Sequence, residues 1–471
     1  MQRLTGLDAG FLYMETPTLH MHTLKIAVLD PSTVPGGYSF ERFEQVLHDR
    51  LHLLPSFRRR LVDVPLRLHH PVWIEDPDFD LRRHVRRVLA PEPGGLRQLA
   101  ELASDIASRQ LDRRRPLWEV SVVEGLEHGH IGFVAKIHHA VADGVAAAAM
   151  LANVFEESPE RVDVATPEQP WRPERVPTRT ALVVQAVAAI GRELLGLPRL
   201  LWRTLAGFRA VARRRREAVV SPPLPFAGPT TSFNTALTPN RWFAMTSLSL
   251  DDVKAVRRAF DVTVNDVVLG VCAGALRRYL DDRGELPGRA LVAAVPVSIN
   301  GDDGTRLSGN RVSNMFTSLC TDVADPVERL RAIHDVTDAA KGVHRALGPQ
   351  MLEDWSELTP PRPFAAWMRL YSRLRLADRH RPPINLVVSN VAGPSTPLSI
   401  AGAKLLAIYS MGPILEGIGL NVTVWSYLGS MNFGLVACRE TMPDIWGLAD
   451  ALHDALAELK KAAELVEGAS V

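Results

Sequence analysis

The sequence is short of the features that most often betray a function. Cysteine is scarce: Cys272, Cys320 and Cys438 are the only three in 471 residues, and no two form a CxxC pair. That argues against a disulfide framework or a cysteine zinc cluster and suits a reducing compartment. Net charge is nearly absent. Lys and Arg number 54 against 53 Asp and Glu, a formal balance of +1, so no global field draws the chain to nucleic acid. Glycine-rich phosphate loops of the P-loop or dinucleotide type are missing. His20-x-His22 and His69-His70 lack a supporting carboxylate or cysteine pattern, so no metal site is expected. The opening residues lack the charged-then-apolar signature of a signal peptide. No apolar run reaches the roughly 18–20 residues that span a bilayer. The nearest, Ala181 to Ile190, contains Gln185 and soon meets Arg192 and Glu193. The expectation is a cytoplasmic protein that is not integral to a membrane.

What is present is the composition of an ordinary globular chain, 46% hydrophobic and 23% charged, long enough for more than one core. Composition shifts in the middle. Glu156 to Thr180 is rich in Pro, Glu and Arg, and Ser221 to Thr231 holds four prolines; both read as linkers. They divide the chain into residues 1–155, a connector over 156–233, and residues 234–471. The connector predicts a helix from Ala181 to Val220, broken near Pro198.

Both flanking parts mix the two periodicities. Phe40, Phe43, Leu47, Leu51 and Leu54 recur at near-helical spacing after Ser39, a candidate N-cap. Leu99 to Ile106, Val264 to Tyr279 and Ile445 to Val466 also read as helices. Leu117 to Glu124, Ile131 to Ile137, Ala290 to Val297 and Ile384 to Val391 read as strands, and Asn421 to Cys438 as a hairpin about Gly429. The fold class is α/β, of the α+β kind with mixed sheets.

One string carries chemistry: His138-His139-Ala140-Val141-Ala142-Asp143-Gly144. Side chains alternate along a strand, so two histidines closing one must point to opposite faces, one inward and one into a cleft. A histidine near neutrality can take a proton from a hydroxyl and return it to a leaving group. Asp143 stands where an N-cap or first-turn acid belongs, before the Ala-rich helix that starts at Gly144.

As a whole, HHxxxDG resembles the active-site motif of the condensing acyltransferases, the superfamily of chloramphenicol acetyltransferase and peptide-synthetase condensation domains. Further elements follow in order. They are Leu4-Thr5-Gly6-Leu7-Asp8-Ala9-Gly10-Phe11-Leu12, Pro55-Ser56-Phe57-Arg58, Leu111-Asp112-Arg113, Pro116-Leu117-Trp118-Glu119, Thr263-Val264-Asn265-Asp266-Val267, Val295-Pro296-Val297-Ser298, Gly309-Asn310 and Ser389-Asn390-Val391-Ala392-Gly393-Pro394. With them the chain resembles, over almost its whole length, the bacterial wax ester synthase/diacylglycerol acyltransferases. Two positions depart from that pattern: Asn300 stands where many members have Arg, and Ala392 where Pro is common.

The resemblance implies two chloramphenicol acetyltransferase-like domains with the active site in a tunnel at their interface. It implies a catalytic set of His139, His138, Asp143 and Gly144, with His139 as general base and Asp143 mainly an organiser of the loop. It also implies long-chain acyl-CoA as co-substrate, with no other cofactor, and diacylglycerol or a long-chain alcohol as acceptor. Asn265, Trp118, Ser389 and Asn390 become candidate substrate contacts. Read physically, Trp118 also suits a core, Thr263-x-x-Asp266 has the spacing of a capping box, and Asn265 could donate to an oxyanion. The connector joins Leu194, Leu195, Leu201, Trp202 and Phe208 to Arg213 to Arg216. That pattern fits either a helix on an anionic membrane or lipid-droplet surface or one packed on the second domain with a solvated basic end. Two rival functions remain at this point: a condensation-type synthase acting on carrier-bound thioesters, and a non-catalytic lipid-binding protein of the same fold.

Overall fold

The computed structural model describes residues 1–157, 171–217, 220–298, 309–310, 312–348 and 350–469. Asn300 lies outside them.

Two six-stranded mixed sheets organise the chain. The first runs Ser399–Ile400, Ala403–Met411, His22–Asp30, Ile131–His138, Trp118–Glu124, Val85–Leu89. The second runs Val312–Ser318, Val292–Ser298, Leu386–Val391, Leu420–Tyr427, Ser430–Cys438, Arg241–Ser249. Each is mainly antiparallel. Val85–Leu89 pairs in parallel with Trp118–Glu124, and Leu386–Val391 pairs in parallel with both its neighbours. The α/β class with mixed sheets is therefore present as expected.

The first sheet is buried on both faces, which is why its strands read as near-continuous apolar runs. Along Ile131–His138, the residues Ile131, Phe133, Ala135 and Ile137 join one core while Val134 joins another. His139 continues the odd-numbered face and His138 the even one. Gly132 lets neighbours pack closely: a Cβ there would stand 2.8 Å from Leu99 Cδ1 and 3.1 Å from Val123 Cβ.

Local signals account for many boundaries. Ser39 Oγ accepts from Arg42 N at the start of the helix Phe40–Arg50. The helix Val264–Asp281 opens with a reciprocal capping box between Thr263 and Asp266. The hairpin turns through Leu428 (φ 43°) and Gly429 (φ 83°), the pair of positive φ values that suits the twist of a two-residue connection.

Three features differ from the sequence reading. The connector helix Arg179–Glu217 runs through Pro198 without ending. The lost bond falls on an exposed helix, and the stretch beyond it packs on Pro326–Leu347 and Met351–Ser356. Taken as one helix, the segment is also long and apolar enough to cross a membrane by length and composition, with 17% of its apolar window buried. The run counted from sequence was shorter because scattered charges interrupt it. Third, the strand Ala403–Met411 from the far end of the chain pairs antiparallel with His22–Asp30. The first sheet is therefore built from both ends of the sequence.

Candidate active site

The HHxxxDG loop leaves the strand Ile131–His138 and enters the helix Gly144–Val154, pinned at each step. His138 N donates to Leu117 O at 3.0 Å and His139 N to Met21 O at 2.7 Å, so two neighbouring segments hold both histidine backbones. Asp143 Oδ1 accepts from Ala146 N at 2.9 Å. That is the N-cap bond anticipated for it, and Gly144 opens the helix behind it.

The two rings part as alternation requires. His138 is buried. Its Nδ1 accepts from Ala140 N at 3.0 Å, which puts the ring proton on Nε2, 3.8 Å from Glu15 Oε2. Burial alone would raise the Glu15 carboxyl. The His138 ring and the Arg113 guanidinium outweigh burial and bring it down to about 2. His22 stands edge-on to His138, and His20 tilts against His22. His138 is thus the buried member of the pair, engaged by Ala140 N and facing Glu15.

His139 is half-buried on the opposite face. Phe11 stacks on its imidazole with centroids 4.2 Å apart. Nδ1 is buried and has no hydrogen-bond partner among the described residues. Burial lowers the pKa of His139, opposed by the charge of Asp143. The ring is held uncharged, the form a base needs.

The C-terminal half clamps the loop. Gly309 N donates to Val141 O at 2.8 Å, Asp143 N donates to Gly309 O at 3.3 Å, and the two segments form a parallel bridge at Ala142. Asn310 Nδ2 donates both to His139 O and to Asp8 Oδ1, each at 2.7 Å. Asp8 is buried, and burial lifts its pKa to about 6 against the pull of Asn310 and Thr5.

The remaining candidates separate. Trp118 is 2% exposed. Its ring lies between Phe57 and His84, centroids 4.4 and 4.6 Å away, and its Nε1 donates to Phe57 O at 2.8 Å. This is a packed side chain, the core placement that its sequence context also suited. Asn265 is half-buried at the second position of the helix Val264–Asp281 and makes no hydrogen bond to the motif among the described residues. Its neighbour Asp266 is held through Oδ2, which accepts from Thr263 N and Oγ1 and meets His334 Nδ1 at 2.8 Å, while the buried Oδ1 has no hydrogen-bond partner among the described residues. Ser389 and Asn390 are half-buried in the strand Leu386–Val391, in parallel register with Thr423 and Val424. The segment after them is tight. A Cβ on Gly393 would stand 2.1 Å from Ser426 O and 2.2 Å from Trp425 Nε1.

Sequence reasoning passed over Glu15 and Lys25. Lys25 shares the His139 face of the first sheet, and its position opposite Ala135 places it there. Its Nζ donates to Ser410 Oγ and lies 4.3 Å from the centre of the Trp425 ring. Burial brings the amine down to about 7, opposed by Asp143. A lysine inside an alternating apolar strand was the available signal. His69 and His70 serve as struts. His69 Nε2 meets Glu193 of the connector helix at 2.8 Å, and His70 bridges Tyr13 OH and Glu357 O.

Comparison with known proteins gives a consistent picture. The family model of the wax ester synthase/diacylglycerol acyltransferase catalytic domain matches residues 4–268. The C-terminal domain model of the same group matches residues 308–460. Two Mycobacterium tuberculosis proteins, both provisionally named diacylglycerol O-acyltransferases, are each 39% identical. One aligns over 98% of this chain and 90% of its own, the other over 99% and 97%. Among solved structures, the wax ester synthase/diacylglycerol acyltransferase from Marinobacter aquaeolei VT8 superposes with a TM-score of 0.67. It is 30% identical and covers 98% of this chain and all of that one. The first condensation domain of the CDA synthetase shares the fold at a TM-score of 0.59, with 14% identity over 98% of this chain and 96% of its own.

Proposed function

This chain belongs to the wax ester synthase/diacylglycerol acyltransferase family and is an acyltransferase, and from that premise we propose that it transfers a long-chain acyl group from acyl-CoA to the hydroxyl of diacylglycerol, with long-chain alcohols as further acceptors. The observation that carries this reading is the intact HHxxxDG loop, in which a neutral His139 is stacked on Phe11 and clamped by Asn310.

His139 is the base. With Nδ1 buried, Nε2 is the nitrogen that accepts the acceptor's hydroxyl proton. The oxygen attacks the thioester carbonyl, a tetrahedral oxyanion forms, the C–S bond breaks, and the thiolate takes the proton back from the imidazolium. No acyl-enzyme is required. Water competes for the same carbonyl, so an enclosed site serves the reaction. Residues 1–155 and 234–471 act as two acyltransferase-like domains that enclose a tunnel at their interface, and 156–233 as their connector.

The connector helix also supports peripheral attachment to an anionic membrane or lipid-droplet surface. Leu195 is 84% and Trp202 70% exposed, and the arginine run 213–216 closes the same helix. An exposed apolar stripe with basic residues is the composition of an interfacial helix.

The test is acyl transfer from radiolabelled palmitoyl-CoA to diacylglycerol and, separately, to hexadecanol, with wild type and His139→Ala. Labelled triacylglycerol or wax ester from wild type alone supports both reaction and base. Undiminished product from the variant rules out His139 as the base.

A further inference from the structure

Beyond the catalytic loop, on the other side of the helix Gly6–Met14, lies a cleft of about 660 Å³. That is within the size range of small-molecule sites. Five arginines line it: Arg60, Arg67, Arg113, Arg114 and Arg369. They come from separate places in the sequence. Arg60 sits in the strand Arg59–Val62, Arg67 ends the turn Pro65–Arg67, and Arg113 and Arg114 lie in the loop before Trp118–Glu124. Arg369 sits in the helix Pro361–Arg373 of the C-terminal half. The carboxylates among the lining residues are Glu15 and Asp63.

Those charges are unevenly answered. Arg113 is paired with Glu15, Arg60 with Asp76 at 3.2 Å, Arg114 with Asp112 at 3.0 Å, and Arg67 with Asp63 at 3.6 Å. Arg114 and Arg67 are well exposed in those pairs, with side chains 87% and 47% accessible, so a ligand displaces such contacts at little cost. Arg369 forms no ion pair among the described residues. Convergent guanidinium groups match phosphate oxygens with paired N–H donors, which ammonium groups do not.

The cleft is also joined to the chemistry. Glu15 lies in its wall, and the Oε2 that pairs with Arg113 also stands 3.8 Å from Nε2 of His138, the residue before His139 in the motif. Leu12 and Tyr13 in the wall follow directly on Phe11, which stacks on His139. A molecule with phosphates in this cleft and its reacting carbonyl at His139 must be long, flexible and anionic at one end. An acyl-CoA has that form; diacylglycerol and fatty alcohols carry no phosphate.

We infer that this arginine-lined cleft, shared between the two halves of the chain, binds the phosphorylated adenosine end of acyl-CoA. The inference rests on the acyl-CoA reading above and specifies where the donor's charged end docks.

The experiment uses the full chain and the double variant Arg67→Glu/Arg369→Glu, both positions away from Glu15 and His138. Arg369→Lys is a milder companion that keeps the charge and loses the fork. Thermal melts check folding. Binding of adenosine 3′,5′-bisphosphate and of CoA is measured by calorimetry, and KM and kcat for palmitoyl-CoA at saturating acceptor. The expected result is binding of both nucleotides weakened on the order of tenfold in the double variant, with KM for palmitoyl-CoA raised in step and kcat held. Arg369→Lys should fall between. Unchanged nucleotide binding and KM in a folded double variant overturn the assignment. So does loss of adsorption to phosphatidylglycerol vesicles with CoA binding intact, which makes the cleft a lipid headgroup site. Bisphosphate binding needs no turnover. If wild type binds it through these arginines yet forms no ester, the cleft stands and the reaction reading falls. If ester forms from acyl-CoA without such binding, the reverse holds.

Discussion

Asn310 Nδ2 lies 2.7 Å from the backbone oxygen of His139 and 2.7 Å from Asp8 Oδ1. One amide from the C-terminal half thereby fixes the backbone of the proposed base and satisfies a buried carboxyl of the N-terminal helix. The two halves meet at the residue whose placement matters most.

Replacing Asn310 with Ala removes the side-chain donor that His139 O and the Asp8 carboxyl share, while Thr5 still serves Asp8. Such a loss costs about 1–3 kcal/mol. Stability should fall by roughly that amount, and kcat should fall more than KM rises, because the ring loses its backbone anchor rather than a substrate contact. Denaturant melts and steady-state kinetics on the same preparation check this; a variant with native kcat would show that the clamp is dispensable.

Asp8 makes stability depend on pH. Burial raises its folded pKa to about 6, above its ordinary value of 3.8. Between those values the folded protein binds more protons than the unfolded chain, so this residue's contribution falls as pH rises through that window. Asp8→Asn keeps an acceptor for Asn310 and removes the titration. Melting temperatures at pH 4.5 and 7 should therefore converge in the variant relative to wild type. An identical pH slope in both would refute the assignment.

The paired histidines should respond differently to asparagine. The side-chain oxygen of Asn can stand where His138 Nδ1 accepts from Ala140 N, so His138→Asn should retain measurable turnover with some loss of stability. His139→Asn removes the base, and general-base contributions run to about 10²–10⁴-fold. Comparable residual activity in the two variants would contradict the division of roles.

Lys25 is a buried amine whose pKa burial brings to about 7 from 10.5. Between those values the unfolded chain holds the proton that the folded protein has released, so wild-type stability should rise with pH there. Lys25→Met removes the charge and keeps the length. It should match or exceed wild-type stability at pH 7, by roughly 1 kcal/mol, and lose the gain above it. Melts at pH 7 and 9.5 decide the matter.

Leu195→Ser/Trp202→Ser strips two exposed apolar side chains from the connector helix while leaving its packing on Pro326–Leu347 intact. Binding to phosphatidylglycerol vesicles should fall by at least about tenfold without change in melting temperature, since a fully buried apolar side chain contributes about 1.5–3 kcal/mol and about 1.4 kcal/mol is tenfold. Sedimentation with vesicles reads this directly, and undiminished binding would place the membrane contact elsewhere.

The sequence by itself determined whatever depends on local spacing. Ser39 and Thr263 cap helices because their hydroxyls reach backbone N–H groups three residues on. His138 and His139 face apart because strand residues alternate. Asp143 caps the helix that follows it. The seven-residue motif was legible for the same reason, since its parts touch one another.

What only the tertiary structure decided lies at long range. Glu15 approaches His138 across more than a hundred residues and Lys25 meets Ser410 across 385, at positions with no local pattern. Trp118 became a core side chain because Phe57 and His84 close over both its faces. The helix through Pro198 continues because the second half packs along it. Periodicity records which way a side chain points, and only the folded chain records what it meets there.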